Sequence, residues 1–232
     1  MIQLSLKQLF DPPTSTYTYI LFDQHTKDGV IIDSVLEQTD RDLSFIKDHQ
    51  ITLRYILETH VHADHITGAS VIQEHTDADI ALSAASHISQ ANHLLKHKEK
   101  IYFGTLAIQC LATPGHTDSC MSFYLPGQVF TGDALLIGGC GRTDFQQGDA
   151  NKLFHSIRDV LFQLPDETKV YPAHDYHGKK YSTIGQEKIS NPRIKLSNTQ
   201  EQFVQIMKGL KLEYPARIEQ AVPANLRLGA KL

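Results

Sequence analysis

The sequence has few cysteines, no excess of positive charge and no long apolar run. Its three cysteines, Cys110, Cys120 and Cys140, are widely spread, so a disulfide framework is not expected. Its 22 Lys and Arg residues against 26 Asp and Glu residues give a net charge of −4. Without a basic cluster, this balance does not favour a nucleic-acid surface. No stretch approaches the roughly 20 apolar residues that a helix needs to span a bilayer.

The first residues do not resemble a targeting segment. "MIQLSLKQLF" alternates apolar and polar residues like an edge strand, without the apolar core of a secretory signal or the composition of a transit peptide. A cytoplasmic location is therefore the default expectation. The chain has 232 residues, of which 41% are hydrophobic and 21% charged, as in ordinary globular proteins. This length fits one large domain, or one domain with a small appendage.

Hydrophobic periodicity predicts alternating strands and helices. Strands are predicted at 2–6, 16–22, 29–32, 53–57, 79–84, 120–125, 128–133 and 168–174, with a hairpin inside 100–116 that turns near Phe103 and Gly104. Helices are predicted at 38–48, 66–75 and 151–164, and two helical stretches close the chain. His87, His93 and His97 are placed in a polar helical stretch, facing solvent. This order predicts an α/β fold of two mixed sheets packed together, with helices on the outside.

The stretch "ETHVHADHITGA" concentrates metal-binding side chains directly after the apolar run "LRYIL". It carries His60, His62, Asp64 and His65 within six positions. Side chains alternate along an extended segment, so His60 and His62 project the same way. If the chain then turns into a helix, Asp64 and His65 point back to the same place, with Asp64 where an N-terminal carboxylate is favoured. The alternative is that His62, Asp64 and His65 only cap this helix; the spacing favours a metal site.

Four predicted strands each end in a potential metal ligand. "LRYILETH" ends at His60, "IQCLATPGH" at His116, "QVFTGD" at Asp133 and "KVYPAH" at His174. Loops at one edge of a sheet are where α/β proteins commonly place their sites. We therefore expect three imidazoles and a carboxylate at one rim.

The donor types narrow the choice of metal. Imidazole and carboxylate without thiolate suit zinc, iron or manganese and argue against copper(I) or an iron–sulfur cluster. A closed structural zinc site normally uses cysteines, and none lies within these motifs. Two histidines and one carboxylate on one face leave adjacent positions open on Fe(II).

These motifs carry a family resemblance. "THVHADH", "PGHT", "TGD" and "YPAH", in this order, resemble the metallo-β-lactamase superfamily from Gln3 to about Asp175. The resemblance implies a metallo-β-lactamase-like αββα sandwich with a metal site. We expect a single such domain over 1–232, with a short helical extension from about 179. The superfamily alone leaves the reaction open, because its members include hydrolases, nucleases and oxygen-reducing enzymes.

Further motifs resemble one group of this superfamily, the persulfide dioxygenases. They are "GGCGRTDFQQGD" at 138–149, "YPAHDYHG" at 171–178 and the terminal "PANLRLG". Glyoxalase II, the nearest alternative, usually has a "GHEY"-like stretch in the second place. It also has a longer helical C-terminal domain than the 58 residues that follow His174 here.

The donor residues alone fit either group. All seven residues of a two-metal hydrolytic site are present, namely His60, His62, Asp64, His65, His116, Asp133 and His174. The persulfide dioxygenase resemblance implies instead one Fe(II) per chain, held by His60, His116 and Asp133. His62, Asp64, His65 and His174 would then orient these ligands. It also implies glutathione persulfide and O₂ as substrates and a homodimer. A binding or regulatory module that retains the metal is an alternative outside catalysis.

Two arginines are candidates for substrate binding. Arg142 is expected to grip a glutathione carboxylate, because a guanidinium matches that group in a two-pronged fashion. The alternative is a structural arginine tied to Asp144. Arg193, in "NPRI", is a second candidate.

Three other residues are candidates for catalysis. Tyr176 is expected to bond to a metal-bound group or substrate, with ordinary packing as its alternative. Cys140 lies near the iron in the family pattern, and a buried inert thiol is its alternative. Asp175 is expected to brace a loop or a ligand rather than transfer protons. Gly138, Gly139 and Gly141 are interpreted structurally, as residues that permit tight turns beside the metal.

Overall fold

The computed structural model describes residues 4–230 of the chain. This part divides into two compact units. The first comprises the chain up to Leu95, Lys100–Ile108 and the segment that begins at Pro215; the second comprises Lys96–Glu99 and Gln109–Tyr214. The predicted strand at 2–6 falls partly outside the described residues. The single domain over 1–232 stays a prediction.

The described residues form two six-stranded sheets and six α-helices. The first sheet has the order β1 (Leu4–Asp11), β2 (Thr16–Asp23), β3 (Asp28–Ile32), β4 (Thr52–Leu57), β5 (Asp79–Ser83) and β6 (His93–Leu95). The second runs from β7 (Lys100–Phe103) through β8 (Leu106–Ala112), β9 (Met121–Leu125), β10 (Gln128–Gly132) and β11 (Lys169–Pro172) to β12 (Ser182–Thr183). The helices are α1 (Thr39–Asp48), α2 (Ala69–Thr76), α3 (Ala150–His155), α4 (Ile184–Ser190), α5 (Gln200–Lys208) and α6 (Ile218–Asn225). The prediction of two mixed sheets with helices is confirmed.

The first sheet explains where its polar loop residues lie. β1, β2 and β3 pair antiparallel, whereas β3, β4, β5 and β6 pair in parallel. Every residue of β2 is buried, as suits a strand rich in Tyr and Thr. Because β3 and β4 are parallel neighbours, their carboxyl ends lie at the same edge. Asp33 follows β3 and Glu58 follows β4 at this edge.

The predicted start of the helix at 66–75 is wrong. α2 begins at Ala69, with Gly68 as its N-cap. The three preceding residues instead pair with 34–36, since Leu36 N donates to Ile66 O at 2.8 Å and Gly68 N donates to Ser34 O at 3.1 Å. Asp64 therefore does not lie in the first turn of the helix.

The predicted hairpin inside 100–116 is confirmed. β7 and β8 are joined at Gly104, which adopts a φ of 58°. Asp23 braces the turn, because its Oδ2 accepts hydrogen bonds from Thr105 N at 2.8 Å and Thr105 Oγ1 at 2.6 Å. These bonds hold the pKa of Asp23 well below its ordinary value.

In the second unit, two strands deliver candidate ligands to one edge. β9 and β10 pair antiparallel across the turn at Gly127, as predicted, and β10 pairs in parallel with β11. The carboxyl ends of β10 and β11 therefore lie side by side. Asp133 follows β10 directly and His174 lies two residues beyond β11.

The predicted amphipathic helix at 151–164 is confirmed as helical but is not uniform. α3 continues as a π-helical turn over Ser156–Val160 and a 3₁₀ turn over Leu161–Gln163. Leu153, Ile157 and Leu161 are fully buried in the core of the second unit. This apolar face packs the segment despite the change of helical pitch.

Two other secondary-structure predictions are wrong. The stretch with His87, His93 and His97 is not helical; it begins after a short 3₁₀ turn and contains β6, to which His93 belongs. His93 Nε2 pairs with Asp79 Oδ2 at 2.8 Å across two parallel strands, which stabilises this strand at the sheet edge. Between β12 and residue 230 the structure has three helices, α4, α5 and α6, rather than two. None of the helices within residues 4–230 is both long and apolar enough to cross a membrane.

Candidate metal centre

The histidine loop of the first unit gathers its donors as the spacing indicates. The ring centroids of His60 and His62 are 4.1 Å apart, and those of His62 and His65 are 4.3 Å apart. His62, Asp64 and His65 each offer a ligand atom, and these atoms lie within 4.8 Å of one another. The three imidazoles are buried. The arrangement suits a cation.

Two of these imidazoles have a nitrogen that fits metal coordination. His62 Nδ1 and His65 Nε2 are buried and have no hydrogen-bond partner among the described residues. Buried polar atoms in folded proteins are nearly always satisfied by protein, water or an ion. Each of these two nitrogens is therefore suited to bind a metal ion.

Two buried carboxylates orient His62 from behind. Its Nε2 lies 3.2 Å from Asp33 Oδ1 and 3.4 Å from Glu58 Oε2. Thr59 fixes Asp33, since its backbone N and its Oγ1 each donate to that carboxylate at 2.8 Å. With Nε2–H directed at the carboxylates, Nδ1 carries the lone pair.

The same contacts shift the pKa values of His62 and Glu58. Burial alone would lower the pKa of His62, but the charge of Asp33 and the hydrogen bonds to Asp33 and Glu58 raise that pKa well above its ordinary value. Burial raises the pKa of Glu58, despite the opposing hydrogen bonds from His62 and Thr67. The two carboxylates therefore favour a positive charge at His62, supplied by a proton or by a bound metal ion.

Asp64 holds His65 rather than capping a helix. Asp64 Oδ2 accepts from His65 Nδ1 at 2.9 Å and from Thr16 Oγ1 at 3.1 Å. His65 Nδ1 therefore carries the proton, which makes Nε2 the lone-pair nitrogen. The alternative in which this loop only caps a helix is not realised at Asp64.

The second unit brings together the other three predicted donors. His116 Nε2 lies 3.5 Å from Asp133 Oδ2, and His174 Nε2 lies 3.7 Å from Asp133 Oδ1. Asp133 Oδ1 is buried and has no hydrogen-bond partner in the part of the chain that is described. These separations are longer than ordinary hydrogen bonds. Two imidazoles thus face one carboxylate without bonding to it, as groups around a shared cation do.

A glycine loop sets the position of His116. His116 Nδ1 donates to Arg142 O at 2.8 Å, which makes Nε2 the lone-pair nitrogen. Gly141 N donates to Asp133 O at 2.7 Å. A Cβ on Gly141 would lie 2.4 Å from Asp133 O and 2.9 Å from His116 Nδ1. Only glycine fits between Asp133 and His116, the two candidate metal ligands.

The guanidinium of Arg142 is held by protein groups. Its Nε and Nη2 donate to the two carboxylate oxygens of Asp144 at 2.7 and 2.8 Å, and its Nη1 donates to Glu213 O at 2.7 Å. It also lies 4.5 Å from the centroid of the Phe145 ring. This is the arrangement of the structural alternative named above; the role in substrate binding stays a prediction.

The side chain of Arg193 contacts the backbone carbonyl of Cys140. Cys140 is 1% exposed, its Sγ lies 3.6 Å from Met207 Sδ, and its carbonyl accepts a hydrogen bond from Arg193 Nη1. Burial raises the pKa of the Cys140 thiol to about 11, although Arg193 opposes the shift. The thiol is therefore protonated at neutral pH, which favours the alternative of an inert buried group.

Tyr176 and Asp175 follow His174 with contrasting surroundings. Tyr176 is 71% exposed, and its ring lies nearly parallel to that of His174 at a centroid distance of 6.2 Å. Asp175 is buried, and its Oδ2 accepts from the backbone N of His177 at 2.8 Å and of Lys179 at 2.7 Å. These bonds give Asp175 the bracing contacts expected of it.

Asp33 and Glu58, which contact the candidate ligand His62, were not predicted from the sequence. Both directly follow buried strands, just as Asp133 does. A polar residue after an apolar run marks both of them, Asp33 at the end of "VIID" and Glu58 after "LRYIL".

Comparisons with known proteins agree with these motifs. The sequence profile of the metallo-β-lactamase superfamily matches residues 11–174. The chain is 45% identical to the "Persulfide dioxygenase ETHE1, mitochondrial" of Mus musculus over 97% of its own length and 89% of that protein. The crystal structure of ETHE1 from Myxococcus xanthus superimposes with a TM-score of 0.95 at 48% identity, covering 97% of this chain and 100% of the other. The chain belongs to the persulfide dioxygenase family of the metallo-β-lactamase superfamily.

Another relative, with a glyoxylase name, is less similar to this chain than the persulfide dioxygenases are. "Glyoxylase B2" of Dictyostelium discoideum is 30% identical over 93% of this chain and 88% of its own length. The difference of about 15 percentage points favours the persulfide dioxygenase family. The predicted fold and family are therefore confirmed.

Proposed function

We propose that this enzyme is an oxidoreductase that converts glutathione persulfide, O₂ and water to glutathione and sulfite. The observation that carries the proposal is the 45% identity to a persulfide dioxygenase over nearly the whole of both chains. In this reaction both atoms of O₂ go to the outer sulfur, and water supplies the third oxygen of sulfite and the hydrogen of glutathione. Sulfite therefore leaves with two protons, and the equation balances without another oxidant.

We propose one Fe(II) per chain, held by His60, His116 and Asp133 as the family resemblance implies. The orientations of the two donors in the second unit support this choice, since His116 directs Nδ1–H to Arg142 O and Asp133 Oδ1 has no hydrogen-bond partner among the described residues. When bound, such an ion supplies adjacent open positions and the redox chemistry that zinc lacks. His62, Asp64, His65 and His174 orient the ligands around it.

The second candidate is a glyoxalase II-like hydrolase with two metals. The unpaired His62 Nδ1 and His65 Nε2 favour it, because both suit a further ion. Against it, Asp64 Oδ2 already accepts two hydrogen bonds, from Thr16 and His65. A binding or regulatory module is the third candidate; the complete donor set argues against it.

A product assay separates these candidates. The enzyme, purified without oxygen, is supplied with glutathione persulfide in an oxygen electrode, and with lactoylglutathione in a parallel hydrolysis assay. We expect one O₂ consumed for each sulfite released and no hydrolysis of the thioester. Hydrolysis of lactoylglutathione without oxygen uptake would establish the two-metal alternative, and neither activity would favour the module.

We propose that Arg142 binds a carboxylate of glutathione, in exchange with Asp144. Replacing Arg142 by alanine should then raise KM for glutathione persulfide about 10-fold, because a charge-assisted pair of hydrogen bonds to the substrate is lost. The value of kcat should stay nearly unchanged. Asp144→Asn is the matched control, because it weakens the competing partner without removing the guanidinium. An unchanged KM in Arg142→Ala, with a lower melting temperature, would make the residue structural. Arg193 is the second substrate-binding candidate, to be compared in the same assay.

Of the three other candidates, Tyr176 has the surroundings of a residue that meets substrate. Its exposed ring beside His174 supports a hydrogen bond to the substrate or to a metal-bound group. Asp175 is proposed to hold the loop 175–179 that carries Tyr176, through its bonds to two backbone amides. Cys140, buried and protonated, is proposed to pack the second core rather than to react.

We also propose a cytoplasmic location and a homodimer. The three cysteines are buried thiols, which suits a reducing compartment. The homodimer has only the family resemblance as support. Cell fractionation and the molar mass measured by light scattering test these two proposals.

A further inference from the structure

The last helix returns to the histidine loop. α6 ends at Asn225, which belongs to the same compact unit as the loop and is 4% exposed. Its Nδ2 donates to His62 O at 2.9 Å and to His65 O at 2.8 Å. Its Oδ1 accepts from Thr67 N at 2.9 Å. One side chain thus bonds to three backbone groups of a six-residue segment.

This contact requires an amide. The segment 62–67 forms neither helix nor strand, so its buried backbone groups need partners from elsewhere. A carboxamide supplies two donors and one acceptor in one plane, which is the set used here. The bonding partners also fix its orientation, because two carbonyl oxygens can face only the NH₂ group and an N–H can face only the oxygen.

The residues after Asn225 extend the contact to the start of α2. Leu228 O accepts from Ser70 N at 3.1 Å and from Ser70 Oγ at 2.7 Å. Gly68, the N-cap of α2, has no side chain to satisfy the first amides, so the terminal segment replaces the usual cap. Gly229 has a φ of 76°, and a Cβ there would lie 2.1 Å from Thr67 O. The terminal segment therefore follows the loop from His62 to Ser70.

We infer that Asn225 is a positioning residue for the metal centre. By fixing the carbonyls of His62 and His65 and the amide of Thr67, it sets the backbone from which both imidazoles project. Asp33 and Asp64 fix the rings from the side-chain end, and Asn225 fixes them from the backbone end. The inference rests on the proposed metal role of this loop. It assigns a function to "PANLRLG" that sequence resemblance alone does not give.

Asn225→Asp tests the inference with little change of shape. The substitution turns the atom that faces two carbonyl oxygens from a donor into an acceptor. The matched control is Asn198→Asp in the second unit, whose Nδ2 likewise donates to two carbonyls, those of Pro192 at 3.2 Å and Arg193 at 2.8 Å. Co²⁺ alone is titrated anaerobically into each metal-free protein. Its visible absorption spectrum reports the ligand geometry, and the melting temperature of the metal-free protein is measured separately.

We expect Asn225→Asp to weaken Co²⁺ binding about 10-fold or more and to change the Co²⁺ spectrum, because a displaced His62 and His65 would no longer orient the ligands around the ion. Asn198→Asp should leave both unchanged. A lower melting temperature with unchanged affinity and spectrum would overturn the inference and leave a structural role only. If Asn225→Asp does not fold, Asn225→Ser removes the same bonds without the repulsion and is judged by the same two readouts.

One further variant separates this inference from the proposed function. If Asp133→Ala loses its metal while the Asn225 variants bind like wild type, the inference fails and the proposed metal centre stands. If Asp133→Ala keeps its metal, the proposed centre itself fails.

Discussion

Replacing Asp133 by alanine is expected to remove iron and oxygen consumption together. Asp133 is the only carboxylate in the proposed ligand set, and its Oδ1 is buried and lacks a hydrogen-bond partner within the described residues. Two candidate imidazoles of the second unit face it, at 3.5 Å for His116 and 3.7 Å for His174. Loss of an outer contact alone costs metal sites about 10- to 100-fold. Loss of the ligand should therefore reduce activity by more than about 100-fold. Iron is counted per chain by elemental analysis, and turnover is followed as oxygen uptake.

A surface pair supplies the control for Asp133→Ala. Asp159 lies 2.7 Å from His155 Nδ1, and both side chains are exposed. Asp159→Ala also removes a carboxylate beside an imidazole in the same unit, but far from the candidate ligands in sequence and on the surface, so it should leave iron and activity at wild-type levels. Full retention of iron in Asp133→Ala would rule out the proposed ligand set, and equal losses in both variants would indicate general damage to the unit.

Adding a single methyl group at Gly141 is expected to damage the centre nearly as severely. The new Cβ would lie 2.4 Å from Asp133 O and 2.9 Å from the Cγ and Nδ1 of His116, so backbone and ring must move apart. That movement lengthens the bond from Gly141 N to Asp133 O and the bond from His116 Nδ1 to Arg142 O. We expect metal affinity to fall about 10- to 100-fold, the cost of disturbing groups that orient ligands. Overpacking should also destabilise the fold by about 1–3 kcal/mol.

Gly139 offers the matched control two positions earlier in the same loop. A Cβ there would meet only Arg193, at 3.8 Å, which is an ordinary van der Waals contact. Gly139→Ala should therefore keep both metal and activity. Metal affinity is measured by competition with a chelator, and stability by thermal unfolding. Equal behaviour of the two variants would show that the loop does not fix His116.

The candidate ligands could be predicted because each follows a strand whose burial the sequence makes plain. Apolar runs such as "LRYIL" and "QVF" must be buried, so the polar residue at the end of each is conspicuous. The orienting residues are harder to find. Asn225 is separated from the loop it holds by about 160 positions, and no local pattern in one sequence reports such a contact.

Two of the wrong predictions assigned a helix from local sequence propensity alone. "ITGASVIQEH" has a helical pattern throughout, yet Ile66, Thr67 and Gly68 pair with 34–36 instead, because tertiary hydrogen bonds outweigh weak helix propensity. The predicted helical stretch around His93 is wrong for the same reason. Pairing with β5 gives these residues strand structure, and this tertiary contact outweighs the local pattern.

The most direct test of the central claim is to count the metal in protein purified without oxygen. The same sample is then exposed to glutathione persulfide and air. A redox-active centre formed by His60, His116 and Asp133 predicts about one iron per chain, little zinc, and oxygen consumption that stops when the persulfide is exhausted. Two metal ions per chain, with thioester hydrolysis that proceeds equally well in the absence of air, would contradict it.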